Sequence, residues 1–458
     1  MALPPEFDRE MRALLGEGWL HGGERLQAYG DEYRRETVVP EAVAIPADRG
    51  QVQALVRACR RHGVPIVARG AGTNTTGATV PAAGSVVLSF ERMDRILSIR
   101  PGDRCAVVEP GLSNGALQAA LRAHGLFWPP DPTSADVCTV GGNLACNAGG
   151  PRAVKYGATR DNVLALTAVT GTGELVELGS ATTKDSTGYD LQRLLVGSEG
   201  TLALIVEATL KLSPLPRDRQ VLRAMYRDVD SAATAVARLM AQPVVPSMVE
   251  FMDGESVRLA RDVGGADLPD GVGAMLLLEA DGDPDALPAA LLAIGEAATV
   301  DGLLDIETGG STAARERLWS ARKALSPALR TIAAGKINED VVVPVSRIPG
   351  LVAGVQAISR RCGLPIVNFG HAGNGNLHVN IMYDPGDAGQ SRAAHAALPD
   401  VFALALELGG TLSGEHGIGL AKRGFMASAL GPEALALMRG VKRLFDPDGI
   451  LNPGKVLP

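Results

Sequence analysis

The sequence predicts an α+β protein of more than one domain, and three observations carry that expectation. The chain has 458 residues, more than one hydrophobic core organises, and its 46% hydrophobic against 21% charged residues is a globular balance. Its first half reads as short strands separated by glycine-rich loops, whereas strand-like and helix-like runs alternate from about residue 219. The two styles meet at LSPLPRDR, residues 212–219.

QVQALVRACRRH (51–62) has helical periodicity, and PIVA (65–68) reads as a buried strand ending on glycines. Strand-like runs follow at 85–89, 105–109, 163–170 and 174–178, the last two joined by a GTG turn that predicts a hairpin. In the second half VLRAMY, SMVEFM and AMLLLEA alternate with DSAATAVARLMA and an Ala/Leu-rich helix, the pattern of an α/β domain. STAARERLWSARKALSPALRTI then predicts a long helix leading to the strand INEDVVVP. PIVNF and NLHVNIM bracket a glycine-rich loop at 370–376.

Composition excludes several classes. A net charge of -7 argues against a nucleic-acid partner. Five cysteines with no CxxC pair exclude a disulfide framework and a cysteine-held iron–sulfur cluster, and they suit a reducing compartment. The opening MALPPEFDREMRALLGEGWL has acids and no apolar core of signal-peptide type, and no apolar run is long enough for a bilayer. The expectation is a cytoplasmic protein, peripheral to a membrane only through a partner.

RGAGTNTTG (69–77) follows a predicted strand and combines Gly70, Gly72 and Gly77 with hydroxyl and amide side chains. Glycines permit close backbone approach to a ligand, and Thr73, Asn74 and Thr75 offer donors to phosphate oxygens. A second loop, PPDPTSADVCTVGGNLACNAGG (129–150), repeats the chemistry. One such loop is equally compatible with a tight surface turn; two in one half favour a dinucleotide. Neither contains GK[ST] nor opens a helix within a regular βαβ unit, so neither a Walker loop nor a Rossmann fingerprint fits.

These segments resemble the FAD-binding domain shared by relatives of vanillyl-alcohol oxidase and p-cresol methylhydroxylase. RGAGTNTTG is similar to its first pyrophosphate loop. TVGGNLACNAGGPRAVKYGATRDNV (139–163) and GSEGTLALI (197–205) are similar to its second and third flavin-contacting segments, and the match covers roughly residues 38–215. The resemblance implies FAD in a crevice between two small α+β subdomains, its ring facing the C-terminal half. The implied contacts are Arg69, Gly70, Ala71, Gly72, Thr73, Asn74, Thr75 and Gly77, then Pro130, Asp131, Thr139, Gly141, Gly142, Asn143 and Gly149, and finally Gly157, Ile205 and Asn452. The first loop holds no His or Cys, and Cys138 and Cys146 read as small buried hydrophobes, so the flavin is expected to be dissociable.

GHAGNGNLHVNI places His371 and His378 seven apart, and SGEHGIG adds Glu415 and His416. Imidazole and carboxylate suit Zn²⁺, Mn²⁺ or Fe²⁺ with open positions for a substrate. If NLHVNIM is a strand, His378 and Asn380 share one face and Leu377, Val379 and Ile381 the other. Arg322 and Ser326, four apart on the long helix, share a face as well.

This half, with the ending FDPDGILNPGKVL (445–457), resembles the group of the glycolate oxidase catalytic subunit, D-lactate dehydrogenase and D-2-hydroxyglutarate dehydrogenase. The resemblance implies His371, His378 and Glu415 as metal ligands, zinc first, and His416 as catalytic base. Arg322 and Lys336 match groups that hold the substrate carboxylate, and Asn380 and Ser326 line the same pocket; several relatives have Thr where this chain has Ser326. It further implies an FAD-binding domain over 1–215, a substrate or cap domain over 216–420 carrying the metal site, and a segment 421–458 packing back on the first. The expected activity is oxidation of a D-2-hydroxy acid, D-lactate-like before glycolate or D-2-hydroxyglutarate. Electrons would pass to an external quinone, cytochrome, electron-transfer flavoprotein or iron–sulfur subunit, and a homodimer is compatible with the group. A non-catalytic flavin-binding subunit, a non-haem metal oxygenase and non-redox ether-lipid synthesis on the same fold are the competing readings.

Overall fold

A computed structural model describes residues 3–33 and 36–458, apart from the side chains at 32, 33, 36 and 326. The chain forms two compact units: one of residues 1–150, 157–215 and 415–458, the other of 151–156 and 216–414.

The first unit is built on a four-stranded and a five-stranded sheet, beside two short two-stranded ones. In the four-stranded sheet, β1 (Trp19–His21), β2 (Ala42–Ala44), β3 (Ile66–Arg69) and β4 (Val86–Ser89) lie in the order β1-β2-β4-β3, parallel except at β1. Helix α1 (Arg49–His62) starts where the Asp48 carboxylate accepts from Gln51 N–H and stops at Gly63, whose φ of +64° suits glycine. It buries Val52, Leu55, Val56 and Cys59 against Ile66, Val86 and Leu88. A late segment joins the same core: Ile66 N–H donates to Ile450 O at 2.8 Å, and Asn452 N–H to Ile66 O at 2.8 Å.

The larger sheet is wholly antiparallel, comprising β5 (Ile96–Arg100), β6 (Cys105–Val108), β7 (Val163–Thr170), β8 (Leu175–Gly179) and β9 (Ala203–Lys211) in the order β8-β7-β9-β6-β5. The expected β7–β8 hairpin is present, with Thr170 N–H donating to Glu174 O at 3.0 Å. Val169, Leu204 and Val206 of this sheet enter the core of the smaller one, so the two pack together.

The second unit is built on a seven-stranded sheet: β10 (Asp218–Tyr226), β11 (Met248–Asp253), β12 (Ala274–Gly282), β13 (Leu303–Gly309), β14 (Gly335–Val342), β15 (Ile366–His371) and β16 (Asn376–Tyr383), ordered β13-β10-β12-β11-β15-β16-β14. The alternation of strands and helices read from the sequence is there, but every pair in this sheet is antiparallel. Alternation of elements sets the layering; it does not set strand direction. On one face Met252, Met275, Leu277, Phe369 and Met382 form a core with Val257 and Leu259 of α3 (Gly254–Asp262) and Leu318, Leu325 and Leu329 of α4 (Thr312–Ile332).

Candidate active site

Within the first unit the ends of both sheets border a cleft of about 360 Å³, in the size range of ligand pockets. Arg69 to Thr75 line one wall, Thr139, Gly141, Gly142, Asn143 and Gly149 another, and Ile205 a third, while Glu415 and His416 come in from the late segment. The second loop is not all loop: α2 (Val140–Cys146) is a short helix capped by Thr139, whose Oγ1 accepts from Gly142 N–H at 3.1 Å. Two consecutive glycines hid it, because glycine weakens local helix propensity. Gly141 is required by packing, since a Cβ there would stand 2.6 Å from Pro110 Cβ and 2.8 Å from Pro110 O.

The cleft fits a diphosphate-bearing ligand. Arg69 Nη1 is buried with no hydrogen-bond partner among the described residues, which disfavours the site unless an anion or water meets it. A Cβ on Gly70 would overlap Thr139 Oγ1, and one on Gly72, at φ +72°, would overlap the Arg69 guanidinium. Glycine at both positions lets the first loop lie flat beside the cation.

The backbone of His416 is clamped by the first loop: Asn74 Nδ2 and Thr76 Oγ1 donate to His416 O at 3.2 and 3.3 Å. Glu199, 5% exposed, accepts from Ile418 N–H at 2.6 Å and Gly419 N–H at 2.9 Å and so holds the turn that follows. Burial raises its carboxyl to about 7, against those two hydrogen bonds and the charges of Lys422 and Lys455. His416 Nε2 lies 4.0 Å from Glu415 Oε1.

Five expected cofactor contacts do not line the cleft: Gly77, Pro130, Asp131, Gly157 and Asn452. Pro130 O accepts from Asn114 Nδ2 at 2.9 Å, Asp131 lies where a Cβ on Gly150 would stand 2.5 Å from its carbonyl oxygen, Gly77 and Gly157 make turns at φ +77° and +78°, and Asn452 Nδ2 donates to Ala78 O and Glu199 O at 3.0 and 2.7 Å. Pro132, Thr133 and Ser134 border the cleft where Pro130 and Asp131 were expected.

In the second unit β15 and β16 bring His371 and His378 together, their ring centroids 5.3 Å apart and nearly perpendicular. The register pairs Asn376 with His371 and His378 with Phe369, which puts both imidazoles on the face covered by α3 and α4. Glu250, opposite His371 in β11, meets His371 Nδ1 with Oε1 as acceptor and accepts from Arg322 Nε at Oε2, 2.9 Å away. Burial opposes its charge, but the neighbouring His371 and Arg322 prevail and hold the carboxyl at about 2. The Arg322 guanidinium also stacks over Phe369, 4.5 Å from the ring centroid.

The remaining pocket residues differ in state. Asn380 is buried and its amide is spent within the sheet, donating to Val367 O and His378 O at 3.1 Å each and accepting from Asn338 Nδ2 at 2.7 Å. Lys336 sits on the edge strand β14; it is exposed as a residue, yet packing around its ammonium, and then the Arg330 charge, lower its pKa. Ser326 belongs to α4, and its side chain lies outside the described residues. Ser413 Oγ and Gly414 N–H donate to Asp340, which stands opposite His378 in the register. Sequence reading passed over Glu250 and Glu199; the signals were an acid amid the apolar run SMVEFM and one between the glycines of GSEGT.

Residues 40–179 match the family described as FAD binding domain, and 215–456 the family described as FAD linked oxidases, C-terminal domain. Glycolate oxidase subunit GlcD of Bacillus subtilis (strain 168) is 37% identical over 418 residues, covering 91% of this chain and 89% of its own. D-lactate dehydrogenase of Anaerostipes hadrus is 36% identical over 425 residues, with 91% and 89% covered. Among solved structures, p-cresol methylhydroxylase with substrate bound superposes at a TM-score of 0.81 with 17% identity, over 98% of this chain and 96% of that one, a likeness of fold alone.

Proposed function

The chain belongs to the FAD-linked oxidase family, and from that premise we propose that it oxidises a small D-2-hydroxy acid to the 2-oxo acid. A divalent cation, zinc first and manganese or iron as alternatives, is held by His371, His378 and Glu415. The observation that carries the reading is that Glu415 and His416 border the same cleft as the glycine loop and Arg69, whose buried Nη1 has no hydrogen-bond partner among the described residues.

Bound FAD supplies the acceptor for the electron pair that leaves with the substrate's α-hydrogen, and the cation supplies Lewis-acid polarisation. His416 takes the hydroxyl proton on a ring nitrogen, its Nε2 standing 4.0 Å from the Glu415 carboxylate. Arg322, its Nε committed to Glu250, offers the outer edge of its guanidinium to the substrate carboxylate, and Lys336 compensates the charge. The pairing of the imidazoles in one sheet supports the cation site, as does Gly414, tied to Asp340 opposite His378 and followed in the chain by Glu415.

The flavin is held without a covalent bond: burial pushes the Cys146 thiol up to about 12 and raises that of Cys138, so both stay protonated and poorly nucleophilic at neutral pH. Lactate-like substrates come first, because the assigned cations Arg322 and Lys336 account for one carboxylate, and glycolate or D-2-hydroxyglutarate follow. The five cysteines lack iron–sulfur spacing, and the proposed acceptor is external and other than oxygen: a quinone, a cytochrome, an electron-transfer flavoprotein or an iron–sulfur subunit.

The deciding experiment is anaerobic bleaching of the FAD-loaded protein with D- and L-2-hydroxy acids, before and after chelation. D-acids should bleach the flavin, a chelator should stop it, and added Zn²⁺, Mn²⁺ or Fe²⁺ should restore it. Absence of bleaching by every acid overturns the reaction, and bleaching indifferent to chelator overturns the cation.

A further inference from the structure

Glu250 is an acid in the middle of a buried strand. Its residue neighbours Val249 and Phe251 are apolar and buried, its side chain is 1% exposed, and β11 lies between β12 and β15 inside the sheet. A carboxylate so placed persists only where partners replace its lost hydration. It has two, one per oxygen: His371 Nδ1 at Oε1 and Arg322 Nε at Oε2.

We propose that Glu250 is a positioning residue that sets both the tautomer of His371 and the orientation of Arg322, tying cation binding to carboxylate binding through one side chain. The proposal rests on the reading of His371 as a metal ligand. An ionised carboxylate only accepts, so the proton on His371 is drawn to Nδ1 and the ring's lone pair is directed to Nε2, the atom then suited to a cation. Arg322, fixed by the same carboxylate and by the Phe369 ring, keeps its outer edge in one orientation.

Glu250→Gln separates this from a packing role. The amide keeps the shape but has one acceptor and one donor. Arg322 can only donate, so it takes the amide oxygen, and the amide NH₂ faces His371 Nδ1. That contact pulls the imidazole proton to Nε2 and blocks the ligand atom.

The experiment compares Zn²⁺ affinity of the FAD-loaded, metal-stripped protein, by competition with a chromophoric chelator, in wild type, Glu250→Gln, His371→Ala and the double variant. Expected are affinity about 10- to 100-fold weaker in Glu250→Gln at unchanged FAD content, and no further loss when it is added to His371→Ala. Wild-type affinity in Glu250→Gln while His371→Ala is impaired overturns the role of Glu250 and leaves the ligand reading standing. Wild-type affinity in both overturns the ligand reading itself. If Glu250→Gln does not fold, ¹⁵N spectra of histidine-labelled wild type decide: the His371 proton on Nδ1 supports the proposal, and on Nε2 it sinks it.

Discussion

Glu199 adopts φ +52° between two glycines and spends both carboxylate oxygens on backbone donors of the loop after His416. Its carboxyl is raised from 4.5 to about 7, so between those values the folded state holds a proton that the unfolded chain has released. Its contribution to stability therefore falls as pH climbs through that window and is flat above it. Urea midpoints from about pH 5 to about 8 should show this fall in wild type and a flatter profile in Glu199→Gln. With His416 as the proposed base, His416→Ala should lower turnover about 10²- to 10⁴-fold while flavin absorbance shows FAD retained, because the bonds from Asn74 and Thr76 are made to the His416 backbone O, which alanine keeps. His371, His378, Glu415 and His416 stand out in the sequence as candidates, since two glycine-rich segments, GHAGNGNLH and SGEHGIG, hold three of the chain's seven histidines. Glu250 and Glu199 stayed hidden among 51 acids, because what marks them is a partner far along the chain: Arg322 for one, Ile418 and Gly419 for the other.

Elements place these residues through a few buried joints. Asp253 closes β11 and caps α3, accepting from Ser256 N–H at 2.8 Å; it also accepts from Asn368 N–H and Nδ2 at 3.1 and 2.8 Å, fastening the strand that carries His371. Asp253→Ala should cost about 2–4 kcal/mol in urea unfolding, more than a lone cap of about 1 kcal/mol, because it leaves the buried Asn368 donors unmet. Gly141→Ala should drive the Thr139-capped helix off Pro110, costing about 1–3 kcal/mol and lowering the FAD content of the purified protein. Periodicity located α1, α4 and the strands it named to within a few residues, since apolar spacing is local, but it did not read β1, β2, β5, β9 or β13. It could not locate Val140–Cys146, whose stability comes from a cap and from contact with Pro110.

At the scale of the chain, the change of pattern near residue 213 falls where one compact unit gives way to the other. The departure of 151–156 was not legible, because it depends on Tyr156 Oη and Lys155 Nζ meeting Asp281 and on Arg152 near Glu279, contacts between distant positions. Deleting residues 446–458 should leave the sheet of the second unit folded by circular dichroism yet abolish FAD retention, since Ile450 and Leu451 sit in the core beneath the first glycine loop. Those two residues dock beside Ile66, almost the whole length of the polypeptide away. During synthesis at roughly 5–20 residues per second, β3 therefore emerges and waits on the order of tens of seconds for its neighbour. Flavin capture belongs after translation has delivered that neighbour, and until then a chaperone has an apolar edge to guard.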